Sequence, residues 1–489
     1  MSKTYRRWEP RQSFLFPPSP LDWVPEDHLS RFILDVVEQL DVSAIFAHYE
    51  REQRGYPPHH PQMMVALLLY AYCVGVPSSR KIEKRCYEDV AFRVITGNTQ
   101  PDHSCVSEFR RIHLSALSSL FVQLLRLCQK AGLVKLGHVS LDGTKMKASA
   151  SKHKAMSYER MKRDEEALAK KVAELLSAAE AVDAAEDDEH GKDRRGDELP
   201  EDLRRAKDRL EKIRALKAEL LAEAMEQAEI ERAAATEEAK VETAMVEMKN
   251  VEAARAAQEP RDDDDSPPPS PEPLPLHQIP TDKDGTPTPK AQRNFTDAES
   301  RIQKAGDGFV QGYNAQIAVD DAVQIIIALG VSNQPPDCEY FIPMLDRAVE
   351  NCGAPPERAS ADAGYFSEAN MARASSRGID AYIATGRTKH HSGGDAPVHD
   401  EHSPKARMKA KLATDEGKRV YSRRKVIVEP VFGQIKNRGF RQFLLRGLAK
   451  VCGEFSLIAL THNLLKLHAA QKSITVGVVS MRFAGQGVT

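Results

Sequence analysis

The chain has 489 residues, with 69 Lys and Arg against 71 Asp and Glu and a formal net charge of −2. This length predicts about two or three domains, and the near-neutral balance hides an acidic middle section that offsets a basic C-terminal third. Seven scattered cysteines form no Cys-x-x-Cys pair, which argues against a zinc cluster and a disulfide framework. The apolar runs are too short to span a bilayer, so we expect a cytoplasmic protein without a membrane partner.

Residues 1–135 predict a helical region. Apolar residues recur at helical spacing in 25–40, 61–72, 80–95 and about 105–131. Short helices with Lys and Arg faces, joined by tight turns, are typical of helix-turn-helix DNA-binding modules. An ordinary helical domain with solvated basic side chains is the alternative.

The apolar period changes at residues 136–155. Val139 and Leu141 alternate with polar residues, which predicts a strand pair or one bent strand. Asp142 therefore lies on or beside a strand. Lys145 and Lys147 follow it closely, and they either contact DNA beside Asp142 or are simply solvated.

Residues 156–260 are rich in Ala, Glu, Lys and Arg with recurrent Leu, which predicts two long helices in a coiled-coil-like hairpin. A partly disordered charged chain is the alternative. The acidic balance of this insertion argues against DNA contact along its length, so we expect a contact with a partner subunit, or a solvated hairpin. Residues 261–293 predict a Pro-rich linker, extended and mobile over 261–280. We expect that 156–280 can be deleted without unfolding the core.

Residues 294–470 return to strands and helices, and 471–489 form a weakly patterned tail. YNAQIAVD at 313–320 and VQIIIALGV at 323–331 predict strands, and a short strand over 358–361 ends at Asp362. The sequence therefore predicts a mixed α/β fold with an N-terminal helical domain and a long helical insertion.

The stretch from Lys405 to Lys450 contains 14 Lys and Arg against three acids, a density typical of DNA-binding surfaces. One of those acids, Glu429, precedes Pro430, which fits best in the first turn of a helix. Lys436 follows Glu429 by nearly two helical turns, so both side chains project the same way. A solvated basic helix with a chance Glu is the alternative.

Asp142, Asp362 and Glu429 are the ligand types that a pair of Mg²⁺ ions (or Mn²⁺) takes in phosphoryl transfer. The alternative for each Asp singly is a helix cap or turn former.

Five segments, together with PDHSCVSEFRR at 101–111, resemble the DDE transposases of bacterial insertion sequences, in the branch with a Tyr-Arg-Glu-Lys signature. They are DGTKMKA (142–148), NFTDAESRI (294–302), GFVQGYNAQIAVD (308–320), ADAGYFS (361–367) and VEPVFGQIK (428–436). The resemblance implies a ribonuclease H-like catalytic core with Asp142 on its first strand, Asp362 after its fourth and Glu429 on its closing helix. It also implies metal-dependent cutting and joining of DNA at the transposon ends.

One spacing departs from the signature. Tyr421 and Arg424 keep their mutual separation, but four residues separate Arg424 from Glu429 where the family usually has three. On a continuous helix Lys425 shares the side of Glu429 and Arg424 points away. Either Lys425 grips the phosphate, or the chain is not helical there and Arg424 reaches in.

We therefore expect a transposase whose partners are DNA of the terminal inverted repeats and of the target. It would act as a homodimer or higher oligomer on DNA, in the cytoplasm beside the bacterial nucleoid. The expected DNA-binding residues are Tyr421, Arg424, Lys425, Lys436 and Lys145. The alternatives are a catalytically silent repressor or architectural protein of the same fold, and a nuclease without strand transfer.

Overall fold

The computed structural model describes residues 19–51, 57–190, 201–255, 273–306, 308–386 and 403–484, without the side chains of 179–190, 235–255 and 473–484. It is a mixed α/β structure with a helical N-terminal region and a mixed sheet further along the chain. Within these ranges, no helix combines the length and apolar character that a bilayer crossing requires.

Seven helices form the N-terminal region. They are α1 (Leu29–Glu38), α2 (Ser43–Glu50), α3 (Pro61–Cys73), α4 (Ser79–Glu88), α5 (Val90–Ile95), α6 (His103–Ile112) and α7 (Leu114–Lys130). The apolar run of α3 is buried nearly all round, so this helix is the centre of the region.

Two of the predicted helices are divided in the structure. Asp89 separates α4 from α5, and its carboxylate accepts a hydrogen bond from Ala91 N at 2.9 Å. His113 separates α6 from α7. A capping carboxylate satisfies an amide that would otherwise lack a partner at the new helix start, so it stabilises the break at Asp89.

The described residues form eight strands. They are β1 (His138–Lys147), β2 (Ala155–Ser157), β3 (Gln292–Asn294), β4 (Arg301–Ala305), β5 (Gly308–Asp320), β6 (Ile326–Ser332), β7 (Arg358–Ala361) and β8 (Asp380–Ile383). The main sheet has the order β4-β5-β1-β7-β8, and β6 pairs with the second half of β5. β1 is antiparallel to β5 and parallel to β7, and β7 is parallel to β8. A separate antiparallel ribbon joins β2 to β3.

The insertion consists of two long helices, α8 (Tyr158–His190) and α9 (Glu201–Arg255), which pack side by side as a hairpin. The predicted tip, 191–200, lies outside the described residues. The start of the hairpin has its own apolar cluster, which includes Met161 of α8, Leu220 of α9 and Ile279. The helices therefore share a small core with the chain that follows them.

The Pro-rich linker is partly anchored. Residues 261–272 lie outside the described part of the chain, but 273–280, which form no helix or strand, are hydrogen-bonded. His277 N donates to Asn333 Oδ1 at 2.9 Å, and Ile279 N donates to Gln227 Oε1 of α9 at 2.8 Å. This segment lies between insertion and core, in contrast to the mobile linker expected there.

The remaining helices close the structure. They are α10 (Phe341–Cys352), α11 (Glu368–Ser376), α12 (Pro404–Ala413), α13 (Asp415–Ser422), α14 (Arg424–Ile427), α15 (Glu429–Asn437) and α16 (Leu448–Ala484). α16 packs against α3, α7 and β6. One hydrophobic core consequently extends from the N-terminal helices to the sheet.

Candidate active site

Asp142 and Asp362 lie beside one another, because the strands that carry or precede them, β1 and β7, are parallel neighbours. β1 and β7 are in register with Val139 opposite Ala359 and Ser140 opposite Ser360. The same offset, carried two residues further, sets Asp142 beside Asp362, the first residue after β7. Asp362 Oδ1 accepts a hydrogen bond from Gly364 N at 2.8 Å and caps a short 3-10 turn. Its capping role and its position beside Asp142 therefore coexist.

The electrostatic setting of Asp142 reflects burial and neighbouring acids. Its side chain is 18% exposed. Burial raises its pKa to about 6, and the charges of Asp362 and Glu429 add to this rise. The Arg424 guanidinium and the Gly143 N–H oppose it. The three predicted acids consequently lie in one electrostatic field.

Glu429 enters this field because the chain restarts a helix there. The basic segment forms three short helices, α13, α14 and α15, in place of one continuous helix. Glu429 is the first residue of α15 and Pro430 the second, which agrees with the prediction for this pair. The interruption before Glu429 changes which preceding cation can reach it.

Arg424 is that cation. Its Nη2 lies 3.2 Å from Asp142 Oδ1, and its Nη1 donates to Glu429 Oε1 at 3.1 Å. The Arg424 side chain is 11% exposed, whereas Lys425 is exposed. Arg424 therefore reaches in, as one of the two alternatives had it, although Arg424–Ile427 is helical and the interruption lies at Val428.

The acids fit a divalent cation by chemistry, since carboxylate oxygens are the ligands that Mg²⁺ prefers. Arg424, however, already contacts one oxygen of Asp142 and one of Glu429. Among the described residues, no group of three or more His, Cys, Asp or Glu has the spacing of a metal site. In this structure a guanidinium, and no open ligand cage, lies between the acids.

Lys436 lies near Asp142, beside the next residue on the same face of β1. Its Nζ donates to Thr144 Oγ1 at 2.8 Å, and Thr144 shares with Asp142 one face of β1. Burial lowers the pKa of Lys436, and the charge of Asp142 opposes that shift. Burial raises the pKa of Tyr421, with contributions from Asp362, Glu429 and Asp142. Both predicted residues therefore belong to the neighbourhood of the acids.

Lys145 points to the opposite face of β1 and is paired within the chain. Its Nζ donates to Pro335 O at 2.7 Å and to Asp337 Oδ1 at 3.0 Å. Asp337 Oδ1 also accepts from the side-chain amides of Asn314 at 2.8 Å and Gln316 at 2.9 Å. The ammonium of Lys145, expected to be solvated or to contact DNA, is held by this network.

Asp337, Asn314 and Gln316 were not among the residues predicted from the sequence. The one available signal was the polar alternation of YNAQI on a predicted strand, because Asn314 and Gln316 then share a face. Gln316 also explains the glycine after Asp142. A Cβ at Gly143 would lie 2.2 Å from Gln316 Nε2.

Comparison with protein families gave two matches. The family model described as "Transposase domain (DUF772)" matches residues 18–111, which include α1 to α5 and most of α6. The one described as "Transposase DDE domain" matches residues 278–464, which include Asp362, Arg424 and Glu429. Comparisons with curated proteins and with solved structures gave no match.

The two matched ranges follow one another along the chain and together cover more than half of it. The interval between them contains β1 with Asp142 and the helical insertion. Both matched models describe transposase domains. Together they support a DDE-type transposase of an insertion element.

Proposed function

We propose that the protein binds the ends of its insertion sequence and catalyses metal-dependent DNA strand cleavage and strand transfer. The observation that carries this proposal is the meeting of Asp142 with Asp362 and Glu429, with Arg424 in contact with Asp142 and Glu429, in a chain with a DDE-domain match. A non-cutting repressor has no need of three acids gathered in this way.

The proposed catalytic core is ribonuclease H-like and comprises 136–155 and 294–470. Strands β6-β5-β1-β7-β8 lie in that order, with Asp142 on the first strand in the chain. Asp362 follows the fourth of these five, and Glu429 begins a late helix. This arrangement supports the fold that the sequence resemblance implies. The domain division at 135, 155, 260, 293 and 470 is part of the same proposal.

In this proposal Asp142 and Asp362 would hold two Mg²⁺ or Mn²⁺ ions, and Glu429 would complete the site. When bound, the ions supply activation of the attacking oxygen and stabilisation of the leaving oxygen. Water is the first nucleophile, and the 3′-hydroxyl that it releases is the second. Arg424 would contact a phosphate in place of a carboxylate, which a planar guanidinium can do with two N–H groups at once.

DNA contact is shared by several cations around the acids. Lys436 donates to the neutral Thr144 hydroxyl, has no ion-pair partner among the described residues, and remains a suitable point charge for a phosphate. Lys425 is exposed on the same basic segment and contacts the DNA backbone farther from the acids. Tyr421 lies close enough to Arg424 and the acids for their charges to act on its pKa. The N-terminal region, 1–135, recognises the ends, through exposed cations of α4 such as Arg80 and Lys84.

The protein acts in this proposal on two DNA partners, the terminal inverted repeats and the target. It does so as a homodimer or higher oligomer, in the bacterial cytoplasm at the nucleoid. A nuclease of the same fold would stop after cleavage, so transfer of a pre-cleaved end is the step that separates the two activities.

The test is a cleavage assay with Mg²⁺ on the DNA that flanks the gene, with a strand-transfer assay on a pre-cleaved end. Asp142→Asn and Asp362→Asn each remove a ligand charge and keep the side-chain shape. Because a metal contributes several kcal/mol to the transition state, we expect cleavage to fall by about 10²–10³-fold or more. Binding to the ends should persist, since the Lys and Arg field supplies phosphate affinity.

Three outcomes divide the possibilities. Wild-type cleavage by Asp142→Asn would contradict the proposed mechanism. Binding without any cleavage by the wild-type chain would favour a repressor or architectural protein. Cleavage without transfer of a pre-cleaved end would favour a nuclease.

A further inference from the structure

A cleft of about 730 Å³ opens where the helical insertion leaves the core. It lies between the first turns of α9, the start of α8 and the ribbon of β2 and β3. Its charged lining consists of Lys154, Arg160, Arg205, Arg209, Lys212 and a single acid, Asp208. The lining is thus strongly cationic, although the insertion as a whole carries more Asp and Glu than Lys and Arg.

Three of the cations form a stripe on α9. Arg205, Arg209 and Lys212 are spaced four and three residues apart, so they lie on one face of the helix. Lys154 and Arg160 contribute from the facing wall. The cleft therefore presents positive charge from both sides to whatever enters it.

Most of this charge is not neutralised by the protein. Arg205 contacts Glu201, and Arg160 lies 3.5 Å from Asp164, in pairs with exposed arginines. Within the part of the chain that the structure describes, Lys154, Arg209 and Lys212 have no ion-pair partner. Exposed ion pairs contribute little stability, so Arg160 and Arg205 can exchange their partners for an incoming anion.

The floor of the cleft is apolar. Met156, Leu216 and Phe295 line it beneath the cations. An apolar and aromatic floor under a cationic rim suits a nucleotide chain, whose phosphates contact the cations while sugar and base edges cover the floor. An acidic peptide would match the rim and leave the floor without a complementary partner.

The cleft is also connected firmly to the candidate active site. Seven residues separate β1, which carries Asp142, from β2 in the cleft wall. Glu223 of α9 contacts both Arg293 of β3 and Arg301 of β4, which fixes the helix against the sheet side. DNA held in the cleft is thereby held at a defined position relative to the acids.

We propose that this cleft binds the phosphate backbone of DNA and forms a second contact, apart from the acids and from the N-terminal helices. The inference rests on the proposed function and adds to it a DNA-binding surface on the insertion. It replaces, for the base of the hairpin, the expectation that the insertion avoids DNA.

The test compares salt dependence of DNA binding by the full chain, on a duplex carrying one end of the element. The variant Lys154→Ala/Arg209→Ala/Lys212→Ala removes the three cations without ion pairs. The control Lys170→Ala/Lys171→Ala/Arg204→Ala removes three exposed cations of the same helices that lie outside the cleft. Each phosphate contact contributes about 0.9 to the slope of log K against log salt. We expect the cleft variant to lose about 2–3 from that slope and the control to keep the wild-type value.

A charge-preserving variant, Lys154→Arg/Arg209→Lys/Lys212→Arg, separates charge from folding and should retain the slope. A cleft variant with the wild-type slope overturns the inference, and so does one that changes only the oligomeric state in sedimentation, which would assign the surface to an acidic protein partner. If wild-type protein binds and cleaves the ends while the cleft variant is unchanged, only the inference fails. If wild-type protein binds no DNA, the proposed function fails with it.

Discussion

The acid site and the insertion cleft differ in whether their cations are paired with acids of the protein. Arg424 is 11% exposed and contacts both Asp142 and Glu429, whereas Lys154 and Arg209 at the cleft have no ion-pair partner among the described residues. A buried charge without a partner is strongly destabilising, but an exposed one is not. In the proposed function, Arg424 must therefore exchange its carboxylate partners before DNA or metal binds at the acids, while the charge at the cleft is available from the start.

A third set of charged residues lies at the base of the insertion. These residues are buried and paired, like Arg424 in the acid site, but their pairing stabilises the fold. Arg293 and Arg301 have side chains 8% and 7% exposed, and both contact Glu223. Burial lowers the pKa of Arg301, and the charge of Glu223 opposes that shift. The ion pairs of Glu223 with these two arginines therefore fix the hairpin to the sheet.

The largest effect on stability is therefore expected from Glu223→Ala. The change leaves Arg293 and Arg301 buried without their shared carboxylate, and removal of one partner of a buried ion pair costs about 3–5 kcal/mol. The measurement is urea unfolding of the full chain. Glu201→Ala is the matched control, since Glu201 and Arg205 are 62% and 68% exposed and such pairs contribute about 0–1 kcal/mol. Equal losses in the two variants would contradict the distinction between paired burial and exposed charge.

The second prediction concerns Arg424→Ala. Asp142 and Glu429 would lose the cation between them and repel one another, so their positions would no longer be fixed. Loss of a residue that orients metal ligands typically costs about 10–100-fold in activity. We expect a loss of that size in Mg²⁺-dependent cleavage, and an intermediate value for Arg424→Lys, because an ammonium cannot contact two carboxylates as a planar fork.

Lys425→Ala is the control for Arg424, since it removes the neighbouring cation from an exposed position. It should retain cleavage within about threefold and reduce only the salt dependence of binding. The reverse order, with Lys425→Ala the more damaging variant in cleavage, would assign the signature role to Lys425 after all.

The sequence could predict the acids but could not decide whether Arg424 or Lys425 lies between them. Asp142 lies on an alternating strand and Asp362 follows a short one, and these patterns are local. Arg424 precedes Glu429 by more than one turn of a helix. Its position beside Glu429 depends on the helix breaks on both sides of α14. Intrinsic propensity does not fix such breaks when tertiary packing decides between a bent and a straight helix. The breaks at Asp89 and His113 were missed for the same reason.

The insertion shows the same limit at a larger scale. Its two helices follow from composition, but their attachment does not. Met156, Tyr158 and Ile279 share a cluster with α9, and Glu223 pairs with arginines outside the hairpin. Deleting 156–280 would expose that cluster's remaining residues and strand both arginines. We now expect that deletion to destabilise the core, contrary to the sequence-based expectation.

The third prediction tests a group that must stay neutral near the acid site. His138 Nε2 lies 2.9 Å from Ser360 Oγ, and burial lowers the His138 pKa to about 4, with the charges of Arg423 and Arg358 adding to the shift. An unfolded histidine titrates near pH 6.5, so the unfolded chain binds more protons between pH 6.5 and 4. Stability contributed by this group is present above pH 6.5 and lost as the pH falls.

His138→Gln removes that titration and keeps a polar side chain opposite Ser360. At about 1.4 kcal/mol per pH unit, wild-type protein should lose about 2 kcal/mol more than the variant between pH 6.5 and 5.0. Urea unfolding at the two pH values measures the difference. A His138→Gln variant that keeps the wild-type pH dependence would contradict the role given to His138.

The smallest effect is expected at Lys436, whose surroundings are intermediate between those of the acid site and those of the insertion cleft. It is partly buried, as Arg424 is, yet its Nζ contacts the neutral Thr144 hydroxyl at 2.8 Å, so no carboxylate has to release it before DNA arrives. Lys436→Ala should weaken binding at every DNA sequence and reduce the salt slope by about 0.9, the value of one phosphate. Lys436→Arg should keep the slope, and Thr144→Val, which removes only the hydroxyl partner, should keep it as well. A gel-shift titration over salt measures all three. If Lys436→Ala keeps the wild-type salt slope but loses Mg²⁺-dependent cleavage, Lys436 is instead a positioning residue for Asp142. Its charge would then be compensated within the protein, as that of Arg424 is.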